Sequence, residues 1–293
     1  MCWSRPPTST TCTRAWQADP VRRTRYVAPA RDAVDRRVFA RAPLMQWHDY
    51  RDWLEGTHWP RIDALNARWP GGVREHFVAQ TRALLDDGLH YEERIAQQGL
   101  IATREANWHD LFNAMIWLRY PQLKRSLNRR QVAEVARVGP RERSRPQCAQ
   151  THFDEAGAIV VLRDASLLAL WDAHDWHGLF WRHRDAWSTG AISVALFGHA
   201  LLEHALTPDK LLVGKAIVVL SDAAAGDDGA IGCCAQAIAQ ERLLRDPLEL
   251  RPLPLSGIPG WHPDNGEESF HLCTPCYQPL REGRVYPAPL RLS

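Results

Sequence analysis

The hydrophobic pattern is densest between Asn107 and Asn128, which reads N-W-H-D-L-F-N-A-M-I-W-L-R-Y-P-Q-L-K-R-S-L-N. At about 100° per residue, Trp108, Leu111, Phe112, Met115 and Leu118 cover most of a helix circumference, and Ile116 and Trp117 fill much of the rest. A helix that is apolar nearly all round is a buried one. Its polar exception is a narrow stripe of His109, Asp110 and Asn113, whose i, i+4 and i, i+3 spacings send all three to one side. An unpaired buried polar group costs roughly 1–3 kcal/mol, so the stripe either forms an internal network or lines a site. Asn107 can cap this helix, with Asp110 in the acidic slot of a capping box. A carboxylate there complements the helix dipole and needs no catalytic role. Pro121 should kink or restart the helix, and Lys124 to Arg137 reads as an amphipathic continuation.

Upstream, Tyr26 to Phe39 reads as a docking segment. Trp47, Trp53, Trp59 and Trp69 follow, with turns at Gly56, Pro60 and Pro70-Gly71-Gly72. These Trp are expected in the core rather than in a stacking groove. A short polar helix starts at His90 and leads to Gly99. Downstream, Gly139 to Pro146 is a Pro/Arg-rich link and a candidate subdomain boundary. The apolar runs Cys148 to Phe153 and Ala158 to Leu162 around Asp154-Glu155-Ala156-Gly157 read as a β-hairpin. In such a strand His152 and Asp154 share a face, while Asp154, Glu155 and Gly157 also suit a plain turn. Asp164 to Trp187 reads as helical, with His174, His177 and His183 as ordinary core or surface residues. A strand over Ala191 to Phe197 then leads through Gly198 into a helix where His199 and Glu203 are i, i+4. Leu211 to Leu220 gives another strand, and Asp227 to Arg245 an Ala-rich helix. The expected fold is α+β, mostly helical in the N-terminal half, with a small mixed β-sheet and packed helices in the C-terminal half. Residues 1–25 show neither period and are expected to be a disordered extension or an overlong start.

Charge narrows the partners. Met1 to Arg41 carries nine Arg against Asp19, Asp32 and Asp35, while the remainder holds 27 basic and 31 acidic residues. A mildly acidic body lacks the basic face that phosphate backbones require, so nucleic acid is not an expected partner of the folded part. The basic tail could associate with a membrane surface, but no uncharged run reaches the length of a bilayer span. No apolar signal region is visible. The seven cysteines are odd in number and unevenly spaced, which is no disulfide framework. A soluble, cytoplasmic protein is therefore expected. Gly214-Lys215 lacks the remainder of a phosphate loop, and Cys273-Thr-Pro-Cys276 lacks the second cysteine pair of a structural zinc site.

Four motifs taken in order, N-W-H-D-L-F-N-A-x-x-W-L-R-Y-P (Asn107–Pro121), H-F-D-E-x-G (His152–Gly157), F-G-H-A-L-L-E (Phe197–Glu203) and G-I-P-G-W (Gly257–Trp261), resemble the bacterial domain-of-unknown-function 3025 family. The resemblance runs from about Tyr26 to the C-terminus, which implies one family domain over 26–293. It supplies no chemistry, but its motifs point to His109, Asp110, Asn113, Asp154, Glu155, His199 and Glu203. Two readings follow. In the first, the protein is a hydrolase-like enzyme acting on an unknown small molecule. His109, Asp110, Asn113, Asp154 and Glu155 are its candidate catalytic residues, and His109, His199, Glu203 and Asp154 candidate ligands for a divalent metal such as zinc. Without metal, His109 would be a general base oriented by Asp110 or Asp154. In the second, the polar stripe is a structural hydrogen-bond network in a non-catalytic ligand- or partner-binding protein.

Overall fold

A computed structural model describes residues 26–139, 142–208, 210–221 and 227–292, so the segment read as an extension, residues 1–25, lies outside the described residues. The fold is α+β. Short helices α1 (Arg51–Glu55) and α2 (Ile62–Asn66) bring Trp53, Leu54 and Leu65 into the core. Trp47 is buried with them, and Trp59 and Trp69 pack partly buried against the same cluster, as expected of core residues. A four-residue parallel pair, β1 (His76–Ala79) with β2 (Leu100–Thr103), was not legible in the sequence. Between them run α3 (Arg82–Leu85) and α4 (Tyr91–Gln98), the latter closed by Gly99 in the left-handed region at φ 74°. The central stretch forms α5 (Trp108–Arg119), with Trp108, Leu111, Phe112, Ala114, Met115, Ile116 and Trp117 buried. Pro121 does restart the chain, opening α6 (Pro121–Val138).

The expected hairpin is replaced by α7 (Arg145–Ala156), which runs directly into β3 (Gly157–Leu162). Ser144 and Gln147 form a reciprocal capping box at its start. Ala149 and Phe153, four residues apart, are fully buried on its inner face. Helical rather than alternating burial therefore decides the segment, and Asp154 and Glu155 occupy its last turn instead of a β-turn. His152 and Asp154 accordingly do not share a strand face.

β3 is buried at every position, as a continuous apolar run covered on both faces should be. After α8 (Ser166–Asp172) and α9 (Arg184–Ser188), β4 (Ile192–Leu196) lies antiparallel on one side of β3. Then α10 (His199–His204) leads to β5 (Val213–Ser221), which lies parallel on the other side. The helix expected to reach Arg245 ends earlier, as α11 (Asp227–Ala239). The far edge of β5 is divided between β6 (Arg251–Pro254), antiparallel, and, beyond α12 (Glu268–Cys273), β7 (Leu290–Leu292), parallel. The sheet is mixed, as expected.

Two chain junctions fix the site. The amides of Phe197 and Gly198 both donate to the Gly157 carbonyl at 2.9 Å, pinning the β4–α10 junction on the α7–β3 junction. The backbones meet so closely that a methyl on Gly198 would overlap Ala156 and Gly157. Gly198→Ala should therefore lower unfolding stability by roughly 1–3 kcal/mol, read as a shifted urea midpoint at unchanged slope. An unchanged midpoint would show that this junction has slack.

Candidate functional site

His109 stands in the first turn of α5, because Asn107 caps the helix by accepting from the Asp110 amide at 3.1 Å. The reciprocal half of the expected capping box does not form. Instead the Asp110 carboxylate accepts from the Arg104 backbone at 2.5 Å and from its guanidinium at 2.7 and 3.1 Å, so it faces the β2–α5 turn. His199 opens α10 directly after the pinned junction, and Asp154 and Glu155 close α7 across from it.

The two imidazoles meet with Nε2 atoms 3.0 Å apart and rings nearly perpendicular. Glu155 Oε2 lies 3.6 Å from the same His199 Nε2. Among the described residues, His109, Glu155 and His199 form the one group of His, Cys, Asp or Glu whose donor atoms all lie within 4.8 Å of one another. The other two sequence candidates sit one shell out. Glu203 accepts from His109 Nδ1 at 3.0 Å. Asp154 accepts from the buried Lys124 ammonium at 2.7 Å and lies 3.9 Å from His199 Nδ1. Asn113, one turn after His109, donates to the Tyr91 hydroxyl at 3.0 Å.

Protonation follows from these partners. A carboxylate can only accept, so His109 Nδ1 carries a proton and its Nε2 presents a lone pair whenever the ring is neutral. Burial disfavours charge on His109, but the Glu203 hydrogen bond and the charges of Glu155, Glu203 and Asp110 outweigh it and raise the pKa above 6.5. For His199 burial wins: its pKa is pushed down to about 3, with Lys124 and His109 adding to burial and Asp154 opposing, so the ring is neutral. A neutral ring has one N–H. If Nε2 holds it, Nδ1 turns a lone pair toward Asp154; Nδ1 is in any case buried and without a hydrogen bond. If Nδ1 holds it, the Nε2 lone pairs of both histidines converge with the Glu155 carboxylate. Burial, and secondarily the neighbouring Asp154 and Glu203 charges, raise the Glu155 pKa despite His109. Burial also pushes the Asp154 carboxyl up, but Lys124 and the two histidines together hold it below 3.8.

These groups open into a cavity of about 370 Å³ between α4, α5, α6 and α7. Gln150 lines it, is fully buried, and has both amide atoms unpaired; Trp117 Nε1 and Asn113 Oδ1 are likewise without partners. Sequence reasoning missed Lys124, Tyr91 and Gln150. Lys124 is one of three lysines in the chain, and Gln150 precedes Asp154 by one turn only once α7 is read as a helix.

The remaining candidates lie apart from this cluster. Cys276 is buried against the Ser256 hydroxyl at 3.2 Å, and Cys273 is exposed. His174 and His177 bond to Tyr286 and Glu268, as ordinary packing and surface histidines do. No helix among the described residues is long and apolar enough to cross a membrane.

No curated protein and no solved structure matches the chain significantly. The family model described as "Protein of unknown function (DUF3025)" matches residues 75–281, a narrower span than the expected Tyr26 to C-terminus but one that holds every residue of the cluster and its outer shell. With more than half its length matched, the chain belongs to the DUF3025 family.

Proposed function

We propose that the protein is a metal-dependent hydrolase in which His109 Nε2, His199 Nε2 and Glu155 hold one divalent ion, zinc by preference. The observation that carries this reading is the convergence of the two Nε2 atoms and a carboxylate oxygen, with separations of 3.0 and 3.6 Å. Ligands about 2.0–2.1 Å from a tetrahedral zinc stand roughly 3.3 Å from one another, and two His with one Glu is a known catalytic donor set that leaves a position open for water.

The surroundings fit the same ion. Glu203 on His109 Nδ1 is the carboxylate–histidine pairing that orients a metal ligand, and Asp154 is poised to serve His199 Nδ1 in the same way. With the His199 proton on Nδ1, a bound ion takes the Nε2 lone pairs of both rings. Asp154, Glu155 and Glu203 outnumber the Lys124 ammonium, so the site carries negative charge that favours a divalent cation. Held by His109, His199 and Glu155, the ion would supply Lewis-acid chemistry, activating water and polarising a carbonyl. Asp110, tied to Arg104, is assigned a structural role in this reading; Asn113 lines the cavity beside Tyr91, and Asp154 orients His199.

Zinc titration of chelator-stripped protein by calorimetry tests the assignment. One site per chain is expected, with Glu203→Gln and Asp154→Asn each weakening it roughly 10–100-fold. Wild-type affinity in both variants would remove the outer shell from the account.

A further inference from the structure

Four buried polar atoms of residues that line the cavity have no hydrogen-bond partner: Asn113 Oδ1, Trp117 Nε1, and Gln150 Nε2 and Oε1. Gln150 is 0% exposed and Trp117 1%, so solvent at the protein surface does not serve them. Resting on the metal-hydrolase reading, we propose that this wall recognises a neutral carboxamide and that the substrate is an amide cleaved at a C–N bond.

The four atoms are two donors and two acceptors. A primary carboxamide offers an N–H and its C=O on one edge, which matches the Gln150 carboxamide bidentately, and its second N–H and second carbonyl lone pair are complements for Asn113 and Trp117. A phosphate or carboxylate brings acceptors only and would oppose Asn113 Oδ1 and Gln150 Oε1. An ammonium brings donors only and would strand Trp117 and Gln150 Nε2. Charge agrees: once a divalent ion balances the site carboxylates, no excess positive charge remains to hold an anion. Sugar hydroxyls also donate and accept, but a glycosidic bond offers no carbonyl for a metal to polarise, and its usual catalysts are paired carboxylates.

Placement along the helices connects recognition to reaction. His109, Asn113 and Trp117 stand on successive turns of α5, and Gln150 one turn before Asp154 on α7. One turn is about 5.4 Å along the axis, so the recognised amide lies next to the scissile one, as in a short N-acyl amino-acid amide. In the reaction the oxygen of water bonds to the acyl carbon, the C–N bond breaks, and the remaining water proton goes to the departing nitrogen.

Cobalt(II)-loaded protein, titrated with three hydroxamates and followed by the cobalt visible bands, tests this. Acetohydroxamate supplies the metal-binding head alone, succinamic hydroxamate adds one primary carboxamide, and valerohydroxamate adds an apolar chain of similar length. We expect all three to perturb the bands, with the amide-bearing ligand at least about ten-fold tighter than the other two. That advantage should vanish in Gln150→Leu while cobalt stoichiometry and acetohydroxamate affinity persist. Gln150→Glu, which keeps the side-chain volume and Oε1 but loses the Nε2 donor, should lose most of it and serves if the Leu variant does not fold. Equal affinity of the three hydroxamates in wild type, or tighter binding of inorganic phosphate or glucose, would overturn the amide assignment and leave the metal reading intact. Failure to bind cobalt at all would instead overturn the metal reading, and this inference with it.

Discussion

His199→Ala is expected to abolish metal binding while leaving the fold in place. The side chain is 5% exposed and rigidly held, because Gly198 is pinned to the Gly157 carbonyl and His199 opens the following helix. Its imidazole is neutral, as a ligand must be. Loss of a direct ligand should exceed the roughly 10–100-fold cost of losing an outer-shell partner, which puts zinc binding out of calorimetric reach. Stability should respond differently. His199 Nδ1 is buried without a hydrogen bond, so removing it relieves a penalty of roughly 1–3 kcal/mol against the packing lost. Metal-free variant and metal-free wild type should melt close together. A large drop in the melting temperature of the metal-free variant would make His199 a structural residue instead, the outcome the network reading requires.

The second large effect is on stability. Lys124→Met removes the ammonium that sits 2.7 Å from Asp154, on a side chain only 5% exposed and also near the faces of Trp117 and Phe197. Breaking one partner out of a buried pair costs about 3–5 kcal/mol, because the other charge is left uncompensated. Asp154 is 23% exposed toward the cavity, so the low end of that range is expected. Lys124→Met/Asp154→Leu should recover much of the loss, since replacing both charges by apolar groups is often neutral. Denaturant melts of wild type, both single variants and the double variant give the coupling directly. Additive losses would mean that the pair is already screened by water in the cavity.

How much of this was legible in the sequence depends on the range of the interaction. Local signals are legible: Asn107 as a cap, the buried circumference of the central helix, Pro121 as a restart, and the helix beginning at His199. Cys148 to Phe153 followed by Asp-Glu-Ala-Gly has strand-like apolar content and turn-forming residues, yet Ser144 and Gln147 carried a capping signal that outweighed it. That reading put Glu155 in a turn and hid the i, i+4 relation of Gln150 to Asp154. The parallel pairing of β1 with β2 rests on four residues each and on packing between them, which no local pattern encodes.

The site shows the same division. Spacing put His199 and Glu203 on one side of a helix, and they are there. Which partner each takes is set by contacts some 90 residues apart in the chain. Glu203 turns to His109 rather than to a shared centre, and Glu155 takes the position next to both imidazoles. Ligand and outer-shell roles among His109, His199, Glu155, Glu203 and Asp154 are decided by helix packing, which sequence spacing alone does not contain.

Elemental analysis of wild-type protein purified without chelator or affinity tag tests the metal centre most directly. About one equivalent of a transition metal per chain, zinc foremost, is expected, and it should be absent from a His109→Ala/His199→Ala variant carried through the same purification. Metal-free wild type that also fails to take up zinc, cobalt or iron on addition would contradict the metal centre and leave the two histidines as members of a structural network.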